Sequence, residues 1–454
     1  MDDQLQLQLQ LHSVTYISES FIKPELRLNQ THCHLTPWDL AMLSVHHIQK
    51  GLLYKKPPQF YIQPFLAELK DSLATVLAHF YPLAGRLETR KEDNPHCYLV
   101  YIDCEKGPGA KFIHARADLS IADVMDVNDV SSPVVHMFFD HDQCVNHDGH
   151  ERALVSIQVT ELLDGIFIGC SMNHCVADGT SYWHFFNMWS EIFQAKRNGL
   201  ESASISMPPV LERWFPDGCS PVISLPYKHP HEFVTRYNAP ELKERFFHFS
   251  IQSVAKLKAK ANADANTTKI SSFQALCALL WRVITRARSL RSDQTTRCML
   301  SANVRPRLNP PLPQNYFGNF LDTVQGVSSV VELLEHNLGW AALVLHNGVV
   351  NNTDENARKF LKEWLQAPKV YQLGQYYDPC CVMMGSSPRF NMYGNEFGLG
   401  KALGIRSGSA NKFDGKVSSY PGYEGGGSVD VEVCLTPRNM KAFECDEELL
   451  DALS

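Results

Sequence analysis

The sequence predicts an α/β fold made of two domains, and three observations support this. The chain has 454 residues, more than one ordinary hydrophobic core accommodates, and 44% of them are hydrophobic. Strand-like alternation and helical spacing of apolar residues follow one another in both halves. Between the halves, residues 206–235 are rich in proline and show little periodicity. We therefore predict an N-terminal domain over residues 1–205, a crossover linker over 206–235 and a C-terminal domain over 236–454.

The first strong helix signal lies at Thr36. This residue can cap a helix and Pro37 suits the first helical position, so we expect a helix that runs toward Ile48. That helix would place His46 and His47 in structural positions. The N-terminal segment before it alternates apolar and polar residues, which is typical of a half-buried strand.

Several other elements follow from periodicity and from turn residues. The predicted strands cover residues 133–139, 153–162, 166–172, 245–250 and 429–435. The predicted helices begin after Gln63-Pro64, just past Asp178 and at about Ser272. Residues 140–150, which are rich in histidine and aspartate, are expected to form an exposed hairpin loop. With two α/β domains, the default place for a site is a pocket between them.

Composition excludes several classes of function. A net charge of −7 argues against a nucleic-acid partner, which usually requires a basic surface. No apolar run reaches about 18 residues, and the acidic N-terminus lacks the basic start of a signal peptide, so we expect no membrane span. The 13 cysteines are scattered without a CxxC pair, which favours reduced thiols in the cytoplasm.

The most informative segment is Met172-Asn173-His174-Cys175-Val176-Ala177-Asp178-Gly179. A predicted strand delivers His174 into a loop, and a helix follows Asp178. A neutral imidazole can remove the proton from an alcohol or amine that attacks a thioester. Asp178 has two possible roles, because it could orient the imidazole directly or hold the turn through an arginine. Taken alone, this spacing also fits a histidine that merely packs in a loop.

Three ordered motifs together resemble the BAHD acyltransferases of plants over essentially the whole chain. His174 to Gly179 is similar to the HxxxDG motif of that family, and Tyr316-Phe317-Gly318-Asn319 is similar to its YFGN motif. Asn395-Glu396-Phe397-Gly398-Leu399-Gly400 is similar to the segment that contains its DFGWG motif. The segments FYPLAGRL and SSFQALCALLWR also resemble the family.

The resemblance implies two domains like chloramphenicol acetyltransferase, with a mixed sheet in each and a tunnel between them. Acyl-CoA would enter as co-substrate from one face and a small-molecule acceptor from the other, with His174 as general base. Asp178 would then be structural and paired with Arg305. The family motif around Glu396, Gly398 and Gly400 would support the fold. We expect a monomer without a bound cofactor.

Departures from the family pattern bear on the substrates. Glu396 replaces aspartate and Leu399 replaces tryptophan in the C-terminal motif. Phe320 follows YFGN where relatives that transfer malonyl groups usually have cysteine, which disfavours malonyl-CoA. Arg389 stands at the spacing at which hydroxycinnamoyltransferases resembling this chain bind an acceptor carboxylate, although it could equally be a structural arginine.

Three further residues complete the candidate site. Trp38 could line the entrance for the acceptor or be a core aromatic residue. Ser272 and Arg282 could contact the CoA phosphates, unless Arg282 faces the core. No metal site is expected, because the 140–150 segment lacks ligand spacing for zinc. Two other functions stay open on the same fold: a lyase that breaks an ester-like conjugate, and a non-catalytic accessory protein.

Overall fold

A computed structural model of the protein describes residues 14–25, 31–93, 96–125, 132–200, 205–216, 218–376 and 378–454. The N-terminal alternation before residue 14, which predicted a strand, lies outside the described residues.

The strands follow the chain in this order: β1 (Val14–Ile22), β2 (His32–His34), β3 (Ile48–Lys55), β4 (Arg86–Asp93), β5 (His96–Asp103), β6 (Ala110–Ala117), β7 (Val155–Glu161), β8 (Gly165–Met172), β9 (Lys243–Phe249), β10 (Thr295–Asn303), β11 (Leu321–Ser329), β12 (Cys381–Gly385), β13 (Gly404–Ser407), β14 (Lys416–Pro421) and β15 (Val429–Leu435).

The helices are α1 (Pro37–Leu40), α2 (Ile62–His79), α3 (Ile121–Met125), α4 (Ser132–His136), α5 (Gly179–Arg197), α6 (Ile251–Asp264), α7 (Ser272–Ala287), α8 (Val330–Glu335), α9 (Leu338–Asn351), α10 (Asp354–Gln366), α11 (Leu373–Tyr376), α12 (Pro437–Glu444) and α13 (Glu447–Leu453).

Two large sheets organise the chain. The first has the order β1-β6-β7-β8-β3-β13, and the second has the order β11-β10-β12-β14-β15-β9. Each sheet is mixed, because β6–β7 in the first and β10–β12–β14 in the second are parallel while their other pairs are antiparallel. Strands β2, β5 and β4 form a small third sheet. The α/β fold class with a mixed sheet in each half is therefore confirmed.

One strand of the second half belongs to the first sheet. β13 pairs with β3 through Gly404 opposite Leu53 and Ser407 opposite Lys50. Such a short strand, with no clear alternation, gave no signal in the sequence. The domain boundaries at residues 205 and 235 stay a prediction. The pairing of β13 with β3 shows that the two halves are also in contact outside the linker.

The two faces of the second sheet differ in character. On β14, Val417 points into the core under helices α6, α7 and α9, whereas Tyr420 packs with the core of the first half. On β15, Val431 and Val433 enter the second core, and Glu432 between them points the other way. The second sheet therefore turns a polar face toward the first half.

A buried ionic network joins the two large sheets on that face. Lys412 Nζ lies 2.5 Å from Glu432 Oε1 and 3.0 Å from Glu244 Oε2. Ser407 of β13 donates to Glu432, and Tyr420 donates to the same carboxylate at 2.7 Å. Because every member is paired, the charges are tolerated in the interior. We infer that this network fixes the second sheet against β13.

Three local predictions were wrong. Residues 133–139 form helix α4 and a turn, where β-branched residues had suggested a strand. The helix that begins at Pro37 ends at Leu40, so His46 and His47 lie just before β3. Residues 140–150 are not an exposed loop, because Asn146 is fully buried within a short 3-10 helix over Asn146–His150. In each case tertiary contacts outweighed local pattern.

Among the described residues, no helix combines the length and apolar character that crossing a membrane requires. Within the same residues, no three His, Cys, Asp or Glu side chains converge as metal ligands would.

We predict that Glu432→Ala destabilises the protein by about 3 kcal/mol, because it leaves the buried Lys412 ammonium short of a partner. Glu363→Ala removes an exposed pair with Lys359, whose N···O distance is 3.9 Å, and is expected to cost at most about 0.5 kcal/mol. Denaturant unfolding of both variants measures the difference. Equal losses of unfolding free energy in the two variants would show that the buried network stabilises the protein no more than an exposed ion pair does.

Candidate active site

The loop that carries His174 connects β8 to α5 and is fixed by a buried asparagine. The His174 backbone N–H donates to Asn146 Oδ1 at 2.8 Å, and Asn173 Nδ2 donates to the Asn146 carbonyl at 2.7 Å. Asn146 in turn donates to the Met42 carbonyl. The segment predicted as an exposed loop therefore supports the backbone of the candidate base.

The imidazole of His174 is oriented by the last residue of the YFGN motif. His174 Nδ1 lies 3.1 Å from Asn319 Oδ1. The Asn319 Nδ2 donates to Asp39 Oδ1 at 3.0 Å and to the His174 carbonyl at 2.6 Å. Because both of those partners can only accept, Oδ1 must face the ring, and Nδ1 must carry the hydrogen. The network thus assigns the unprotonated lone pair to Nε2.

Asp39 is itself held from two directions. Its Oδ2 accepts from the Thr36 backbone N–H at 2.9 Å in the capping box of α1, and Arg213 Nε lies 3.5 Å away. Arg213 comes from the linker and also donates to the carbonyls of Val176 and Phe317. One guanidinium therefore connects the HxxxDG loop, the YFGN loop and Asp39. A Cβ at Gly318 would overlap this guanidinium, so glycine is required there.

The environment keeps His174 neutral. Burial lowers the pKa of the imidazole below its usual 6.5, although the hydrogen bond to Asn319 and the charge of Asp178 act in the opposite direction. The residue is partly exposed despite its depth. A neutral, accessible Nε2 is the form that a general base requires.

Asp178, the aspartate of the HxxxDG motif, points toward Arg305 and away from the imidazole. Arg305 Nη1 lies 2.7 Å from Asp178 Oδ2, so the ion pair expected from the family resemblance is present. Asp178 also accepts from the backbone N–H groups of Ser181 and Phe320, each at 3.0 Å. Burial alone would raise the pKa of Asp178, but Arg305 holds it below its usual value. This geometry is that of a structural carboxylate that caps α5.

The C-terminal motif packs far from the imidazole, against α5 and β3. Phe397 is fully buried, 4.7 Å from Trp189 between ring centroids. Glu396 is exposed, and the Gly398 carbonyl accepts from Arg197. Gly398 and Gly400 have φ values of 67° and 81°, which favour glycine. The arrangement fits a motif that supports the fold.

The four residues that the sequence suggested for substrate contacts have different surroundings. Trp38 is buried, 4.3 Å from Phe320 between ring centroids, as a core aromatic residue would be. Arg389 is exposed. Arg282 forms an ion pair with Glu448 and donates to the carbonyls of Leu333 and His336, which leaves its charge compensated in the interior. Ser272 is partly exposed at the start of α7.

Sequence reasoning missed three residues of the site: Asn319 as the partner of the imidazole, Asp39 and Arg213. Asn319 was visible as the end of the YFGN motif, but nothing in the sequence places it beside His174. Asp39 was visible only as a residue of the first turn in a short helix. Arg213 lies in a segment without periodicity, where no pattern marks a buried charge.

Comparison with known proteins identifies the family. A model of the Transferase family matches residues 12–450. An uncharacterized acetyltransferase of Arabidopsis thaliana is 36% identical over 96% of this chain and 99% of its own length. The BAHD acyltransferase DCR of Arabidopsis thaliana is 32% identical over 96% of this chain and 92% of its own. Shikimate O-hydroxycinnamoyltransferase of Nicotiana tabacum is 29% identical over 83% and 86%. The chain belongs to this family, the BAHD acyltransferases, and is an acyltransferase.

Solved structures share the fold. Vinorine synthase has a TM-score of 0.74 and 19% identity, with 97% of this chain and 98% of that one covered. TRI101 of F. sporotrichioides, complexed with coenzyme A and T-2, has a TM-score of 0.73 and 16% identity over 93% of this chain and 99% of its own. Two mixed sheets in two halves are thus the common architecture.

We predict that the acid limb of the pH profile of kcat/KM lies below pH 6.5. The neutral imidazole is the active form, and its pKa is lowered in the protein, so activity persists through pH 6.5 and is lost as the pH falls through that lower pKa. Initial rates between pH 4.5 and 8.5, with stability checked at each pH, provide the measurement. A limb centred above pH 7 would contradict the burial of the ring.

We also predict that the Nδ1–H tautomer of His174 dominates and depends on Asn319. Selective ¹⁵N-histidine labelling distinguishes the two tautomers, and the spectrum of His174→Ala identifies the signal. Asn319→Ala should produce a mixture of tautomers and lower kcat by about tenfold, since orientation of the base is lost. A dominant Nε2–H tautomer in the unmodified protein would refute the assignment.

Proposed function

We propose that this enzyme transfers an aromatic or hydroxycinnamoyl-type acyl group from a CoA thioester to the hydroxyl or amine of a specialised metabolite, with His174 as general base. The observation that carries the proposal is the hydrogen-bonded series from Asp39 through Asn319 to His174 Nδ1. It leaves Nε2 unprotonated in a partly exposed position.

The proposed reaction needs no nucleophile from the protein. The acceptor O–H or N–H gives its proton to His174 Nε2 while its oxygen or nitrogen bonds to the thioester carbonyl carbon. The tetrahedral intermediate then collapses with cleavage of the C–S bond. The imidazolium returns the proton to the leaving thiolate, which yields free CoA. The hydrogen bond from Nδ1–H to Asn319 Oδ1 favours the transient imidazolium.

Relatives support the choice of substrates. Hydroxycinnamoyl groups are named in the tobacco relative, and coenzyme A is present in the TRI101 complex. In this chain the acyl-CoA would approach His174 from one face of the space between the sheets and the acceptor from the other. Both halves of the site come from one chain, which is compatible with a monomer, and the described cysteines have free thiols, as expected in the cytoplasm.

We predict that His174→Ala lowers kcat by about 10²–10⁴-fold, because the base step is lost. Among the described side chains, Asn319 is the one that forms a hydrogen bond with the imidazole, so the variant should keep its unfolding midpoint within a few degrees. His229→Ala, at an exposed histidine, is the matched control and should keep full activity. Product formation from a panel of acyl-CoAs and alcohols or amines is read by mass spectrometry.

Undiminished turnover in a folded His174→Ala variant would remove His174 from the mechanism. Equal losses in His174→Ala and His229→Ala would point to a general effect of histidine removal.

A further inference from the structure

Lys416 lies on the face of the second sheet that is turned toward the first half of the chain. On β14, side chains alternate between the two faces, and Lys416 shares the face of Ser418 and Tyr420, opposite the buried Val417. Its cross-strand neighbours are Cys434 on β15 and Met383 on β12. Lys416 therefore points between the sheets, away from the core of the second half.

The position of the ammonium is defined by a glycine. A Cβ built on Gly385 would overlap Lys416 Nζ, so the Lys416 side chain extends over the end of β12. Gly385 leaves room for the ammonium there. The lysine thus occupies a site shaped for it, and the residue is partly exposed.

The nearest carboxylates of this face are already bound elsewhere. Glu432 and Glu244 pair with Lys412, and Glu432 also accepts from Tyr420. Lys50 donates to the Tyr420 hydroxyl at 2.6 Å. Across the described parts of the chain, no hydrogen bond and no ion pair is made by Lys416 Nζ, which lies 5.9 Å from the Phe413 ring centroid.

The charge of Lys416 lowers the pKa of the imidazole, in addition to the effect of burial. Burial lowers the pKa of Lys416 itself to about 8, which leaves it mostly protonated at neutral pH. An uncompensated ammonium in the interior is costly, and an anionic ligand would offset that cost.

We propose that Lys416 binds a carboxylate of the substrate that reacts at His174. The proposal rests on the acyl transfer argued above, and it assigns to Lys416 the role that the sequence had suggested for Arg389. The carboxylate could belong to the acceptor or to a dicarboxylic acyl group of the donor. A point charge that reaches one side of the reacting centre would favour acids over their neutral analogues and would fix their orientation.

The test compares acids with their neutral analogues in unmodified protein, Lys416→Met and Lys416→Arg. The acceptor arm uses 3-hydroxybenzoate against its methyl ester, and anthranilate against its methyl ester, with p-coumaroyl-CoA as donor. The donor arm uses malonyl-CoA against acetyl-CoA with benzyl alcohol. Lys256→Met, at an exposed lysine, and Arg389→Ala are the controls. Unfolding midpoints verify that each variant is folded.

We expect kcat/KM to favour the acid by about tenfold or more in one arm, which identifies the molecule that carries the carboxylate. Lys416→Met should abolish that preference, which is read as the ratio of acid to neutral analogue within each variant so that any change at His174 cancels, and Lys416→Arg should restore part of it. No preference for acids in either arm, or a preference that survives Lys416→Met or disappears in Arg389→Ala, would overturn the proposal.

A binding measurement separates this proposal from the proposed function. Calorimetry should show 3-hydroxybenzoate binding to the CoA-loaded protein or, if the donor carries the acid, malonyl-CoA binding to the ligand-free protein about tenfold more tightly than the neutral analogue. His174→Ala should not change this ratio. If turnover is absent in all arms while this affinity ratio is intact, the result would count against acyl transfer and not against Lys416. Equal affinities for acid and neutral analogue would count against Lys416.

Discussion

The carboxamide of Asn319 lies between the imidazole of His174 and the carboxylate of Asp39, and the geometry of the site depends on it. Its nitrogen binds the Asp39 Oδ1 and the His174 carbonyl, so its oxygen can only accept from His174 Nδ1. A neutral side chain thereby fixes both the tautomer and the direction of a ring that lies in the other half of the chain. Among the described residues, no carboxylate forms a hydrogen bond or ion pair with the imidazole, and burial holds its pKa below the usual value.

Two aspartates of the first half hold the YFGN loop of the second half. Asp39 accepts from the Asn319 backbone N–H at 2.9 Å, and Asp178 accepts from the Phe320 backbone N–H at 3.0 Å. Each carboxylate also faces an arginine, Arg213 in the first case and Arg305 in the second. Removing one partner from such a buried pair typically costs about 3–5 kcal/mol. The site is thus assembled by the same contacts that join the halves.

The sequence predicted the fold class and several of the long elements, and the family resemblance implied the Asp178–Arg305 pair. Long elements such as α7 and β15 have a strong periodic signal and matched the prediction closely. The elements that were wrong, such as α4 and the short α1, are stretches of a few residues whose structure is set by tertiary contacts. Asn146, predicted in an exposed loop, became a buried support because its partners lie about a hundred residues away in the chain.

The substrate contacts were harder to predict for a physical reason. Arg389 and Arg282 were candidates because of their residue type and position along the chain, but a guanidinium serves a substrate only if its own neighbours leave it uncompensated. Arg282 is paired in the interior. Lys416 was not a candidate for substrate binding, because in the sequence a lysine before Val417 in a strand cannot be distinguished from an ordinary surface residue. Only the sheet register shows that it points inward.

The most direct measurement of the central claim is a crystal structure of the protein with CoA bound. We expect the CoA sulfur to lie within about 4 Å of His174 Nε2, with the Nδ1 side of the ring still directed at Asn319 Oδ1. A thiol that ends far from the imidazole, or a ring turned so that Nδ1 faces the CoA, would contradict the account.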